Sequence, residues 1–175
     1  MVRWYQTVFD AKVQFRNPVL AFLTYDDEHH RFAFINMQLL QPDGSESDRQ
    51  GAIGVDHVAY TYASLTDLLQ NYEQLKSCGI LPYWCVHHGV TVSIYYGDPD
   101  GNQMEFQVDS FASNHEANAY MSGPNYTANP IGVEFDPEEW LARLRADVPE
   151  SEFLFRRSDQ PISPIRNASV ESPAH

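Results

Sequence analysis

The 175-residue chain is 43% hydrophobic, enough for one domain or two small fused modules with a real core. Its net charge of −13 argues against a nucleic-acid partner and against an anionic membrane surface, since both would repel it. Two cysteines, Cys78 and Cys85, make neither a disulfide framework nor a CxxC pair; no apolar run is long enough to span a bilayer, and the aromatic first residues do not read as a signal peptide, so a soluble cytoplasmic protein is expected.

In chain order, residues 1–9 carry Val2, Tyr5 and Phe9 near helical spacing and read as a helix that Asp10-Ala11 ends. Residues 12–15 alternate weakly as a strand, Asn17-Pro18 marks a turn, and residues 19–25 form an apolar strand. A polar turn at Asp26-Asp27-Glu28 leads into a third strand over residues 29–40, which contains Phe32, Phe34 and Ile35. Residues 41–54, rich in Asp, Ser and Gly, read as a linker. The pattern then restarts. Residues 55–62 make a strand with His57 in its middle, and Ser64 caps a helix reaching about Cys78. That helix has Leu65, Leu68, Leu69, Tyr72 and Leu75 as its apolar stripe and Gly79 as its stop. Strands are expected over 83–86, 91–96 and 103–108.

The repeat is therefore helix and three strands, then strand, helix and three strands. The first half looks like the same unit without its opening strand. The expected divisions are an incomplete first module over residues 1–40, the linker, a second module over 55–109 and a C-terminal extension over 110–158. Within that extension Asp136, Pro137, Glu138, Glu139, Arg143 and Arg145 mark a helix over 137–146. Residues 159–175 are Pro- and Ser-rich and read as a flexible tail.

The most informative stretch is residues 86–105. Asp98-Pro99-Asp100-Gly101-Asn102 is a turn signal, because proline presets φ and glycine accepts left-handed geometry. It folds the 91–96 strand against the 103–108 strand. Side-chain alternation puts Gln103, Glu105 and Gln107 on one face. A carboxylate in mid-strand is costly to bury unless it is paired or bound to a metal.

This stretch closely resembles the signature of extradiol ring-cleavage dioxygenases, members of the vicinal oxygen chelate superfamily with glyoxalase I and bleomycin-resistance proteins. The matching positions are His88, Ile94, Tyr95, the Asp98-Pro99-Asp100-Gly101 turn and Glu105. The resemblance implies an α+β fold of paired βαβββ modules whose curved mixed sheets surround a metal-holding funnel, with a C-terminal helical tail. It implies that His57 and Glu105 are ligands of an Fe(II) ion, with Mn(II) able to substitute. His30, in the run His29-His30-Arg31-Phe32-Ala33, matches the acid–base histidine. His88 matches a hydrogen-bond donor to a substrate oxygen, and Tyr95 a tyrosine that contacts that oxygen. The plain alternatives are a core histidine at 57, a charged turn around His30, and packing roles for His88 and Tyr95. His29, His87, Tyr96, His115 and His175 are expected to be structural or at the surface. Trp84 and Tyr83 fit either an aromatic funnel or an ordinary core.

One departure from the family pattern concerns the start. The family takes its first iron-ligand histidine from the opening strand of the first module, which this chain lacks. Either a longer protein completes the site upstream, or the site uses two protein ligands or recruits His30. Weak metal affinity would follow in the second case. The missing strand would leave a sheet edge for a partner chain to cover, as in a homo-oligomer. The leading functional expectation is O₂-driven cleavage of a catecholic ring. The alternatives are a glyoxalase-like metal-dependent isomerase or lyase with Glu105 as base, and a non-catalytic aromatic-binding protein on the same fold.

Overall fold

The computed structural model describes residues 1–18, 20–26, 31–36 and 57–166. Contacts divide the chain into two compact units: Met1–Asp56 with Asp98–Asp100, and His57–Gly97 with Gly101–His175.

The first unit contains helix α1 (Val2–Phe9) and strands β1 (Lys12–Arg16), β2 (Leu20–Thr24) and β3 (Phe32–Ile35). The helix ends where Asp10 adopts left-handed geometry at φ 49°, which breaks the hydrogen-bond ladder. The three strands form an antiparallel sheet in sequential order. Its β1–β2 register shifts between Val13 and Phe15, consistent with the weak alternation of that segment. Tyr5, Val8, Ala11, Ala21 and Leu23 are buried in this unit, and half-buried aromatic rings gather around Tyr5. Tyr5 stacks on Phe9 at 5.5 Å and meets Phe32 and Phe34 at 4.6 and 4.7 Å. The third strand is shorter than residues 29–40: Arg31 and Asn36 flank it, and residues 27–30 and 37–56, including the expected linker, lie outside the described residues.

In the second unit the order is β4 (His57–Thr61), α2 (Leu65–Ser77), β5 (Trp84–His87), β6 (Thr91–Gly97) and β7 (Gln103–Asp109), the βαβββ pattern. These strands and β8 (Val133–Glu134) build an open mixed sheet in the order β4-β7-β6-β5-β8. Only the β4–β7 pair is parallel. Helix α2 forms where its stripe demands: Leu65, Leu68, Leu69, Tyr72 and Leu75 are all buried. Ser64 Oγ accepts the Asp67 N–H at 3.0 Å, which starts the helix, and Gly79 at φ 77° stops it. On the far side of the sheet from the site described below, Ile94, Tyr96 and Phe106 are almost fully buried.

The extension is more structured than one helix. It contains α3 (Asn114–Met121), α4 (Pro124–Ala128), β8, α5 (Pro137–Arg145) and a 3₁₀ turn (Glu150–Glu152). It grips α2 at both ends. The Glu150 carboxylate accepts the Leu65 and Thr66 N–H groups, at 3.1 and 2.9 Å, where the helix leaves donors unsatisfied. Further along, Tyr72 Oη donates to Glu138 at 2.6 Å and Arg145 pairs with Glu73 at 2.6 Å. Within the stretch expected to be a flexible tail, Ser163 is buried. Its N–H donates to the Gly132 carbonyl and its hydroxyl accepts from Trp84 Nε1, both at 2.9 Å. No helix among the described residues is long and apolar enough to cross a membrane.

Candidate active site

Strand register assembles one face of the second sheet. In the parallel β4–β7 pair, His57 lies beside Gln103 and Ala59 beside Glu105, so alternation directs the His57 and Glu105 side chains to the same side. Across β7 and β6, Glu105 is paired with Tyr95, and across β6 and β5, Tyr95 is paired with Trp84. His88 follows β5 directly, held by its N–H to the Thr91 carbonyl at 2.9 Å.

These neighbours make close polar contacts. His57 Nε2 is 3.0 Å from Glu105 Oε2, and His88 Nε2 is 4.0 Å from Glu105 Oε1. The Glu105 side chain is 6% exposed and that of His57 34%, so the carboxylate sits inside and the imidazole faces the opening. A buried carboxylate is tolerated because a cationic or metal partner offsets its desolvation. His88 is fixed at both ring nitrogens. Nδ1 lies 2.5 Å from the Ile131 carbonyl, which can only accept, so Nδ1 carries a hydrogen. Burial holds the His88 imidazole below its ordinary basicity, against the opposing pull of the Ile131 carbonyl and the Glu105 carboxylate. A neutral ring with its hydrogen on Nδ1 has a bare Nε2. That nitrogen is 3.0 Å from Tyr95 Oη, which then donates to it.

Aromatic rings wall this polar centre. Trp84 stacks on Tyr95 at 5.0 Å and 28°, while His57 meets Tyr95 edge-on at 5.5 Å and 87°. Trp84, Val86 and Tyr95 form a buried cluster, with Tyr83 and Ile131 packed against it. Trp84 and Tyr83 therefore belong both to the core and to the wall of the site.

The four described histidine, tyrosine and glutamate positions singled out by sequence, His57, His88, Tyr95 and Glu105, come together here. His30, like His29, lies outside the described residues. His87 points to the opposite face: it is 2% exposed, its Nδ1 accepts the Gly89 N–H at 3.0 Å, and burial pushes its pKa down to about 4. Tyr96 packs on Phe106 at 5.5 Å, and His115 is exposed. Burial pushes the Cys85 thiol up to about 12, which removes it as a nucleophile at neutral pH. Two contributors escaped sequence reasoning. The Ile131 carbonyl is a backbone group with no sequence signature, and Arg156 lies in a segment without motif.

Among the described residues, no set of three or more His, Cys, Asp or Glu side chains is arranged to hold a metal ion. His57 and Glu105 nevertheless fit as a pair. Their donor atoms are 3.0 Å apart, close enough to hydrogen-bond directly and close enough to face one ion together. An imidazole nitrogen with a carboxylate oxygen also suits a divalent transition ion.

The Glyoxalase/Bleomycin resistance protein/Dioxygenase superfamily profile matches residues 1–106, which include all four of these positions. The chain belongs to this superfamily. It is 51% identical over 146 residues to biphenyl-2,3-diol 1,2-dioxygenase 2 of Rhodococcus globerulus, a match covering 83% of this chain and 75% of the relative. It is 44% identical over 157 residues to biphenyl-2,3-diol 1,2-dioxygenase 3 of the same organism, covering 89% and 80%. Among solved structures, a glyoxalase/bleomycin resistance protein/dioxygenase from Nocardioides aligns with TM-score 0.46 and 20% identity, over 62% of this chain and 73% of that one. Membership of the superfamily, with dioxygenases as relatives, implies a metal cofactor.

Proposed function

We propose that this superfamily member is an extradiol-type dioxygenase. It would use Fe(II), or Mn(II) in its place, to open a catecholic ring beside its two hydroxyls. The observation that carries the reading is the high identity to two biphenyl-2,3-diol 1,2-dioxygenases across more than four fifths of the chain. In the overall reaction one ring C–C bond breaks and both atoms of O₂ enter the product.

His57 and Glu105 are proposed to hold the ion from one side, supported by their 3.0 Å separation and the burial of the carboxylate. When bound, such an ion supplies Lewis acidity and open positions suited to a diol and dioxygen. The protein's own part is to position and to move protons. With its hydrogen on Nδ1, His88 offers Nε2 as an acceptor, in place of the donor role the resemblance implies: the one lone pair takes the Tyr95 hydroxyl, 3.0 Å away, or in its stead a substrate O–H. Stacked Trp84 and Tyr95 offer a flat apolar wall for an aromatic ring and keep water from the buried carboxylate. His30 is proposed as a second proton-transfer group on the strength of its motif. Two free thiols and the acidic charge support a cytoplasmic setting. A second copy pairing with edge strand β1, exposed at every residue, is the proposed homo-oligomer contact.

The test is anaerobic loading with Fe(II), followed by oxygen-electrode measurements with biphenyl-2,3-diol and simpler catechols. The proposal expects O₂ and diol to disappear one for one as a yellow ring-fission product accumulates. Tight diol binding by the iron-loaded protein with no O₂ consumed would instead favour a binding protein on the same fold.

A further inference from the structure

Three backbone carbonyls converge on one guanidinium behind His88. Arg156 Nη1 donates to the carbonyls of His88 and Asn129, at 2.8 and 2.6 Å, and Nη2 donates to that of Asn125 at 2.8 Å. The carboxamide of Asn129 then pins Gly132 in both directions: Nδ2 donates to the Gly132 carbonyl at 3.0 Å, and Oδ1 accepts the Gly132 N–H at 2.7 Å. Gly132 has φ 118°, and a Cβ there would lie 2.5 Å from the His87 carbonyl, so only glycine lets this loop approach the end of β5 so closely. Ile131, between the two anchors, thereby brings its carbonyl to 2.5 Å from His88 Nδ1.

We propose that Arg156 is a positioning residue that selects the tautomer of His88. By tying the carbonyls of His88 and Asn129 to one cation, it holds the Ile131 carbonyl against Nδ1 and leaves Nε2 as the acceptor that faces the Tyr95 hydroxyl. A free imidazole interconverts between its two neutral tautomers, and the hydrogen bond made by one nitrogen decides which is present. A carbonyl on a loop can make that choice only if the loop is held, and charge-assisted bonds from a planar fork hold it more firmly than one side-chain contact would. The role in turnover rests on the proposed dioxygenase reading; the tautomer itself does not.

The experiment uses the full-length metal-free chain, with ¹⁵N-labelled histidine, at one fixed pH. Long-range proton–nitrogen correlation should show wild-type His88 with one protonated and one bare nitrogen. Arg156→Met should show a mixture of tautomers. Arg156→Lys, which restores the charge but not the fork, should fall between. In the iron-loaded protein Arg156→Met should lower kcat by about 10- to 100-fold, as removal of an orienting partner does, with bound metal per chain unchanged. Asn129→Ala, which loosens the same loop from its other anchor, should repeat the tautomer change and serves if Arg156→Met does not fold. A folded Arg156→Met or Asn129→Ala protein that keeps the single His88 tautomer overturns the proposal. If the wild-type chain turns over no catechol, the dioxygenase reading fails, and the tautomer comparison still decides the role of Arg156.

Discussion

Glu105 occupies the middle of β7 with its side chain almost fully inside, where it is costly for the fold unless something positive meets it. Replacing it with alanine removes that cost along with the proposed ligand. Glu105→Ala should therefore stay folded by circular dichroism while losing metal affinity by more than about tenfold, measured as metal per chain after dialysis. Unchanged metal content would remove Glu105 from the site. Tyr95→Phe is a finer probe. It keeps the ring stacked on Trp84 and deletes only the hydroxyl 3.0 Å from His88 Nε2. Losing one such bond should cost about 1 kcal/mol of stability and lower kcat by about tenfold or more, readable from urea melts and steady-state kinetics. At this scale the sequence was informative where a side chain matches the family signature. His57, His88, Tyr95 and Glu105 stood out through that resemblance, and the fold brings them to one face. The Ile131 carbonyl did not, because every residue has one, and Arg156 did not, because its partners are backbone atoms distant in sequence.

Among the elements, β5 separates two adjacent histidines by function. His88 faces the site, and His87 is sealed on the other side. His87 makes the pH dependence of stability calculable. Its folded pKa is about 4 against an ordinary 6.5, so between those values the unfolded chain binds a proton that the folded chain refuses. Stability from this group is complete above pH 6.5 and is lost as pH falls toward 4, by about 3 kcal/mol in all. Urea midpoints measured from pH 7 to pH 4 should fall more steeply for the wild type than for His87→Gln. Parallel curves would show that His87 is not the titrating group. The elements themselves were legible where periodicity and caps agreed, as in α2 with its buried stripe and Ser64 cap, or in the β6–β7 hairpin across Asp98–Asp100. Helix α3 buries no apolar stripe among the described residues, and so gave no periodic signal, yet Ser113, whose hydroxyl accepts the Glu116 N–H at 3.3 Å, is an N-cap that marks its start. Strand β8 has two residues, too few to alternate, and owes its existence to β5 beside it.

For the molecule as a whole, the repeated helix-and-strands order was visible because each repeat restarts the same hydrophobic pattern. The docking of the C-terminal extension onto the βαβββ module within the second unit was not, because it depends on long-range polar contacts such as Glu150 on α2 and Ser163 on Trp84. An ion held between β4 and β7 would join two strands separated by the whole of α2, β5 and β6, so it should stabilise the second unit globally. At a free metal concentration of 100 times Kd the gain is about 2.7 kcal/mol. Mn(II) should therefore raise the melting temperature of the wild type and leave Glu105→Ala unchanged; an equal rise in both would place the ion elsewhere. The most direct measurement is anomalous diffraction at the iron edge from crystals of the iron-loaded protein grown without oxygen. A single peak within bonding distance of both His57 Nε2 and Glu105 Oε2 is the predicted result, and a peak that neither residue touches would contradict it.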